Sequence, residues 1–160
     1  MSTFTGTIPT FSSGEDLTAT DLTTVTNQLH AIADSWTSYT PVWGNTGTAN
    51  SLGNGTLTGS YKQSGKDVDF TIRLTIGSTT TFGSATFTFT VPVAMVDRFT
   101  CMASLFDSSA ITNRTAGAVD MVNSTTIDIY AAPGGNVTAT VPFTWATSDR
   151  IVISGKYEAA

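Results

Sequence analysis

The 160-residue chain is poor in the residue types from which catalytic and metal-binding sites are built, with one histidine and one cysteine. A catalytic triad, a zinc cluster and an intrachain disulfide each require more of these residues. Cys101 lies in the apolar run FTCMASLF, which predicts a small buried hydrophobe. His30 falls beside the apolar face of the only predicted helix and is expected to be solvated. We therefore predict a non-enzymatic chain with no catalytic residues, cofactor or metal.

Charge is also scarce, at 12% of residues, with seven basic and twelve acidic side chains and a formal net charge of −5. Seven scattered Lys and Arg cannot form the basic stripe that neutralises a phosphate backbone, so nucleic acid is not an expected partner. No apolar run reaches membrane-spanning length, and the N-terminus lacks the basic and apolar regions of a signal peptide. We expect neither a membrane span nor an export signal. Threonine, about a fifth of the chain, must supply much of the solubility.

Residues 1–16 contain isolated apolar side chains among Thr, Ser, Pro and Gly, namely Phe4, Ile8 and Phe11. This spacing gives too little continuous apolar surface to fold alone. One interpretation is an extended attachment arm that becomes ordered only against a partner, with the three apolar residues as its anchors. A disordered terminus is the alternative.

A helix is predicted over residues 17–35, and its start carries two signals. Thr18 and Asp21 have the spacing of a capping box, and Leu17 and Leu22 have that of a hydrophobic staple. Apolar residues then recur every three or four positions and form one narrow stripe, which consists of Leu22, Val25, Leu29, Ile32 and Trp36.

So narrow a stripe on an otherwise polar helix is typical of self-association in a short bundle. A helix of this length is marginally stable alone, so it needs a partner surface. The stripe is therefore the predicted oligomer interface. A helix lying across its own β-domain is the alternative.

Residues 36–160 are predicted to be an antiparallel β-domain, either a sandwich, a jelly roll or a related barrel, which makes the fold mainly β. The clearest period-two alternation runs over residues 67–76, and Ser64-Gly65 predicts a hairpin between it and the strand before it. Asn123-Ser124 predicts a second hairpin. The remaining strands are expected at 56–63, 85–93, 98–106, 111–122, 125–131 and 149–158.

Two pairs of carboxylates could hold a cation, Asp67 with Asp69 on one strand face and Asp120 with Asp128 across a hairpin. Exposed Asp on the solvent face of a strand is the commoner explanation. Among the aromatic residues, we expect Trp36, Tyr39 and Trp43 to lie between subunits. Trp145, in the run VPFTWAT, is the candidate for a surface contact with a glycan, because sugar rings stack on aromatic faces.

Three segments, SYTPVW, LGNGTLTGSYKQSGK and IGSTTTFGSATFTFTVP, resemble a module that recurs in exterior proteins of tailed bacteriophages. The resemblance covers roughly residues 17–92. In that module a short helix leads into a trimeric β-domain on a tail or a capsid. The resemblance therefore implies a homotrimer on the virion exterior, made in the host cytoplasm and attached to the major capsid or tail protein through its N-terminal arm.

Two placements remain open, a capsid decoration or head-fibre protein and a minor tail or short tail-fibre protein. The capsid surface is slightly favoured, because the chain lacks the long repetitive shaft of an extended fibre. The alternative from a different functional class is a carbohydrate-binding module that binds a host cell-surface glycan during adsorption.

Overall fold

A computed structural model of the chain describes residues 18–33, 36–110, 114–132 and 134–160, with the side chains of 28–33 and 97–98 left out. It contains one helix, α1 (Ala19–Ala33), and ten strands. The strands are β1 (Thr37–Tyr39), β2 (Trp43–Asn45), β3 (Thr56–Ser64), β4 (Asp67–Thr75), β5 (Phe87–Thr90), β6 (Met95–Phe106), β7 (Arg114–Asn123), β8 (Thr126–Ala131), β9 (Gly135–Asn136) and β10 (Arg150–Ala159). The predicted mainly-β fold with a single short helix is confirmed.

The helix begins with the predicted capping box. The Asp21 amide donates to Thr18 Oγ1 at 3.2 Å, and the Thr18 amide donates to Asp21 Oδ2 at 3.0 Å. The Thr18 hydroxyl also donates to Asp21 Oδ2, at 2.6 Å. This bond first, and then that of the Thr18 amide, stabilise the carboxylate and hold the pKa of Asp21 below its ordinary value. Leu17, the other half of the expected staple, lies outside the described residues.

Threonines along the helix satisfy their own hydroxyls. Thr23, Thr24 and Thr26 each donate to the carbonyl four residues earlier, at 2.7, 2.9 and 2.8 Å. Hydroxyls bonded in this way do not compete with the helical backbone amides, although they can bend a helix slightly. A threonine-rich segment can therefore remain helical from Ala19 onward.

Both predicted hairpins are present. β3 and β4 pair from Ser64 opposite Asp67 through Thr56 opposite Thr75, and Gly65 opens their two-residue turn with a φ of 61°. Glycine at this first turn position is what a type II′ hairpin requires. β7 and β8 form the second hairpin. Before β3, Asn54 lies in a loop turn, where its amide donates to Thr79 Oγ1 at 2.9 Å and its Oδ1 accepts from the Thr79 amide at 3.0 Å.

The sheet is entirely antiparallel and follows the order β1-β3-β4-β10-β6-β7-β8-β5-β2, while β9 pairs with β8. Its two end strands, β1 and β2, are joined by residues 40–42 alone. Eight strand spacings of about 4.8 Å would separate the ends of a flat sheet by about 40 Å. The link spans at most about 14 Å. The sheet therefore curls until its ends meet.

Thr90 on β5 hydrogen-bonds both to β1 and to the link that leads into β2. The Tyr39 hydroxyl donates to the Thr90 carbonyl at 3.4 Å. The Val42 amide donates to Thr90 Oγ1 at 2.8 Å, and the Thr90 amide donates to the Val42 carbonyl at 3.0 Å. Gly59 on β3 leaves room for β1, because a Cβ there would lie 2.5 Å from the Tyr39 ring. Tyr39 instead packs edge-on against Tyr61, with ring centroids 5.9 Å apart.

Inward-facing side chains of the curled sheet form one hydrophobic core. The longer strands contribute alternate residues, as the period-two pattern predicts, most clearly in β4. β4 and the central strand β10 supply the largest share. The largest fully buried side chains are Val68, Phe70, Ile72, Leu74, Phe87, Phe89, Leu105, Ile127, Ile129, Ile151, Ile153 and Tyr157.

Candidate functional site

The helical stripe is the largest of the predicted sites, and its described members are exposed. Leu22 is 55% exposed and Trp36 52%, while Val25 is half-buried. Trp36, predicted as the last residue of the stripe, lies outside α1, which ends at Ala33. Leu29 and Ile32 lie on the helix, but their side chains are outside the described residues. Between residues 18 and 27 no helical side chain is buried. A helix packed along its own β-domain would bury this face, so the exposure disfavours that alternative.

The three anchor residues of the N-terminal arm, Phe4, Ile8 and Phe11, lie outside the described residues. Their role therefore stays a prediction. His30 is within the helix, and its side chain is likewise not described.

Trp145 is not a surface residue, and the prediction of a glycan contact there is wrong. Its side chain is only 4% exposed. The ring packs 4.5 Å from the Phe143 ring and 6.2 Å from the Phe87 ring, and its Nε1 donates to the Thr138 carbonyl at 2.8 Å. A pyranose ring needs an open indole face, which this packing removes.

Two aromatics expected between subunits belong to the core of one chain. Trp43 is 8% exposed and contacts Phe87 edge-on at 5.1 Å. Tyr39 is half-buried against Tyr61, and burial raises the pKa of its phenol. Both residues lie on the short end strands β1 and β2. When the sheet curls and these strands come together, the two side chains face the core. Trp36, three residues before Tyr39, is the exposed member of the group.

Asp67 and Asp69 form ion pairs. Lys156 on the neighbouring strand β10 places its Nζ 3.6 Å from Asp67 Oδ2 and 3.9 Å from Asp69 Oδ2. The Lys156 ammonium therefore balances the negative charge of the two carboxylates, which could otherwise bind a metal cation. Over the described residues, no three His, Cys, Asp or Glu side chains are close enough to hold a metal ion.

The second carboxylate pair faces across the β7–β8 hairpin, as predicted, with Asp120 directly opposite Asp128. Partial burial, and then the neighbouring Asp120 charge, raise the pKa of Asp128. Asn136 Nδ2 donates to Asp128 Oδ2 at 3.3 Å, and the Met121 amide donates to Asp120 Oδ1 at 2.8 Å. Each carboxylate thus has its own protein donor.

An open cleft of about 360 Å³ lies beside the end of β10, where its register with β6 shifts after Tyr157. Its lining residues are Asp67, Phe99, Thr100, Lys156, Tyr157 and Glu158. Cys101 lies next to it and is half-buried rather than fully buried, with a thiol pKa that burial raises to about 11. Such a thiol is a poor nucleophile at neutral pH because little of it is thiolate.

The outer face of the sheet carries an apolar row that the sequence patterns did not reveal. Met102 on β6, Ala118 on β7 and Tyr130 on β8 are register neighbours, and all three are exposed. Met102 is 57% exposed and Tyr130 51%. Their outward positions follow from strand alternation, but their alignment depends on the pairing of three strands.

Comparisons with known proteins add no relatives. No family model matches the chain. No curated protein and no solved structure matches it either. Among the described residues, no helix is both long enough and apolar enough to cross a membrane.

Proposed function

We propose that this protein is a non-enzymatic structural subunit on the exterior of a tailed-phage virion, where it forms a homotrimer through α1 and projects its β-domain. The phage assignment rests on the resemblance of the three sequence segments. The physical support is a contrast between the β-domain and the helix. The β-domain closes its core within one chain, whereas the helix leaves its apolar stripe uncovered.

The observation that carries the proposal is the exposure of Leu22 and Trp36, each more than half accessible. Full burial of a large apolar side chain contributes about 1.5–3 kcal/mol. Three helices that pack along their stripes would bury Leu22 and Val25 in every subunit. A seam that continues past Ala33, the last residue of α1, would also cover Trp36. A short helix with no partner would instead be marginally stable in water.

Replacement of Leu22 by Asp tests the association. In a three-helix bundle the substitution brings three carboxylates together in an apolar seam, at a cost of several kcal/mol. Light scattering should report a trimer for the parent protein and a monomer for Leu22→Asp at micromolar concentration.

Thr26→Asp is the matched control, because Thr26 is exposed on the same helix off the stripe and gains the same charge. It should keep the parent mass. A trimer that survives Leu22→Asp unchanged would contradict the bundle.

Placement on the capsid is slightly preferred to placement on the tail, because the described chain is a compact β-domain without a repetitive shaft. Cryo-electron microscopy of intact particles tests this directly. Density for the protein on the capsid lattice would support a decoration or head-fibre role. Density confined to the tail would overturn that preference and retain the structural role.

The carbohydrate-binding rival now has a weaker basis, since two of the three indoles are buried. Trp36 is the exposed one, and it lies next to the helix rather than in the β-domain. Saturable binding on a glycan array that is lost in Trp36→Ala while the trimer persists would favour adhesion over a purely structural role.

A further inference from the structure

Two arginines enclose one aromatic ring on the outer face of the sheet. The Arg114 Cζ lies 4.7 Å from the centroid of the Phe106 ring, and the Arg150 Cζ lies 4.6 Å from the same centroid. The two guanidinium carbons are therefore less than about 10 Å apart. Contact with the ring restricts the motion of both guanidiniums, which reduces the entropy that each would lose on binding a ligand.

Strand register creates this arrangement. Phe106 on β6 pairs with Arg150 on β10 at one side and with Arg114 on β7 at the other. Phe106 and Arg150 point outward, because Leu105 and Ile151, their neighbours along the chain, are buried in the core. Arg114, the register partner of Phe106, is exposed. Arg73 on β4 is exposed on the same face, opposite Val152, and so lies diagonally beside Arg150. Diagonal neighbours on one sheet face are about 7–8 Å apart.

The charge at this place contrasts with the rest of the chain. The protein has a net charge of −5, yet three of its four arginines are gathered here. Among the described residues, none of the three forms an ion pair with a carboxylate.

The nearest acids along the chain, Asp107 and Asp149, are buried and directed to other groups. Asp149 accepts hydrogen bonds from the amides of Ser108 and Ala146, and Asp107 accepts from the Ser109 and Ala110 amides. Their charges reduce the local positive potential, but the guanidinium donors of the arginines stay available to a ligand.

We propose that Arg114 and Arg150, held by Phe106 and supported by Arg73, form a binding site for an oxyanion of carboxylate, phosphate or sulfate type carried by a ligand outside this chain. Guanidinium forks match the geometry of these groups and make paired charge-assisted hydrogen bonds with them. An oxyanion at the solvent-facing edge of the Phe106 ring is within reach of both forks. It also relieves the repulsion between two like charges. The site does not depend on the proposed virion role.

Nuclear magnetic resonance titration of the full chain tests the site, with inorganic phosphate, inorganic sulfate and glucuronate as separate probes and glucose as the neutral control. The arginine Nε–H and Phe106 ring signals should shift and saturate with at least one oxyanion, and glucose should shift neither. The ranking of the three probes distinguishes a phosphate, sulfate or carboxylate source.

Variants separate the site from general electrostatic attraction. Arg114→Gln and Arg150→Gln should each weaken binding about tenfold, the effect of losing one charge-assisted pair. Lys66→Gln, in the β3–β4 turn, removes the same charge elsewhere and should leave the affinity unchanged. Equal weakening by Lys66→Gln, or the absence of saturation with all three oxyanions, would overturn the proposal.

If a glutamine variant does not fold, Arg114→Lys keeps the positive charge but loses the planar fork. The proposal expects it to bind more weakly than the parent. Unchanged affinity in Arg114→Lys would overturn the role of the fork.

Discussion

At the scale of the residue, the three tryptophans show that residue type alone does not decide whether a side chain is buried. Trp36 is exposed, whereas Trp43 and Trp145 are buried in the core. Trp145 lies outside the regular strands, so no alternation marked it as inward-facing. Its loop packs it against Phe87 and Phe143, and the Thr138 carbonyl accepts a hydrogen bond from its Nε1.

Trp145→Ala should therefore act on stability. Removing a buried Trp leaves a cavity and costs about 3–5 kcal/mol. Urea unfolding at low protein concentration measures the loss. Trp36→Ala is the control and should change the unfolding free energy of the dissociated chain by less than about 1 kcal/mol. Equal losses in both variants would contradict the burial of Trp145.

Asp128 gives a pH-dependent prediction at the same scale. Its pKa is raised above the ordinary value of 3.8, chiefly by burial and then by Asp120. The folded state therefore favours the protonated form, and ionisation of Asp128 opposes folding at neutral pH. This penalty disappears as the pH falls below the unfolded value. Asp128→Asn should raise the melting temperature at pH 7, and the gain should vanish near pH 3.

The control for Asp128 is Asp67→Asn, which removes an exposed ion pair with Lys156. Exposed pairs contribute about 0–1 kcal/mol, so this variant should be neutral or slightly less stable at pH 7. Destabilisation by Asp128→Asn at pH 7 would contradict the assigned direction of the pKa shift.

At the scale of the element, the hairpins and the helix start are specified by local sequence, whereas the apolar face of the helix needs a partner. The hairpins β3–β4 and β7–β8 are local, and their turns are specified by Gly65 and by Asn123, whose side chain accepts from the Thr125 amide at 2.9 Å. The helix start is equally local, because Thr18 and Asp21 satisfy each other's backbone amides. The apolar face of the helix, however, has no covering partner in the described chain.

A fragment of residues 37–160 should consequently fold but associate weakly. Its core is closed by β1 and β2 within one chain, whereas the helical stripe is absent. Sedimentation should show a concentration-dependent equilibrium that favours monomer, with cooperative unfolding. A tight trimer would assign the interface to the β-domain, with the row of Met102, Ala118 and Tyr130 as the first surface to mutate. A disordered fragment would mean that neighbouring subunits complete the sheet.

At the scale of the whole molecule, the sheet closes on itself within one chain, so the β-domain can fold without the proposed attachment arm. β10, the last strand in the chain, lies between β4 and β6, so the sheet is complete only when the whole domain has been made. The N-terminal arm, residues 1–16, lies outside the described residues. Attachment through Phe4, Ile8 and Phe11 therefore stays a hypothesis that can be tested without disturbing the fold.

Deletion of residues 1–16 should leave folding and trimer mass unchanged and abolish incorporation into particles. Each anchor would bury apolar surface only on the particle, contributing about 1.5–3 kcal/mol. Quantification of the protein in purified particles measures the loss. A full-length variant with Phe4, Ile8 and Phe11 replaced by Ser should show the same defect. Normal incorporation of the truncated protein would shift the attachment surface to the β-domain.

The sequence by itself determined the features that depend on neighbours along the chain. Period-two alternation identified the core face of β4, Ser64-Gly65 identified its hairpin, and Thr18 with Asp21 identified the helix start. Only the tertiary structure decided that β10 inserts between β4 and β6, that Trp145 is buried, and that Arg114 and Arg150 meet on Phe106. Alternation fixes which face of a strand is apolar, but it does not fix the strand's neighbours. Those depend on how the whole sheet packs and closes.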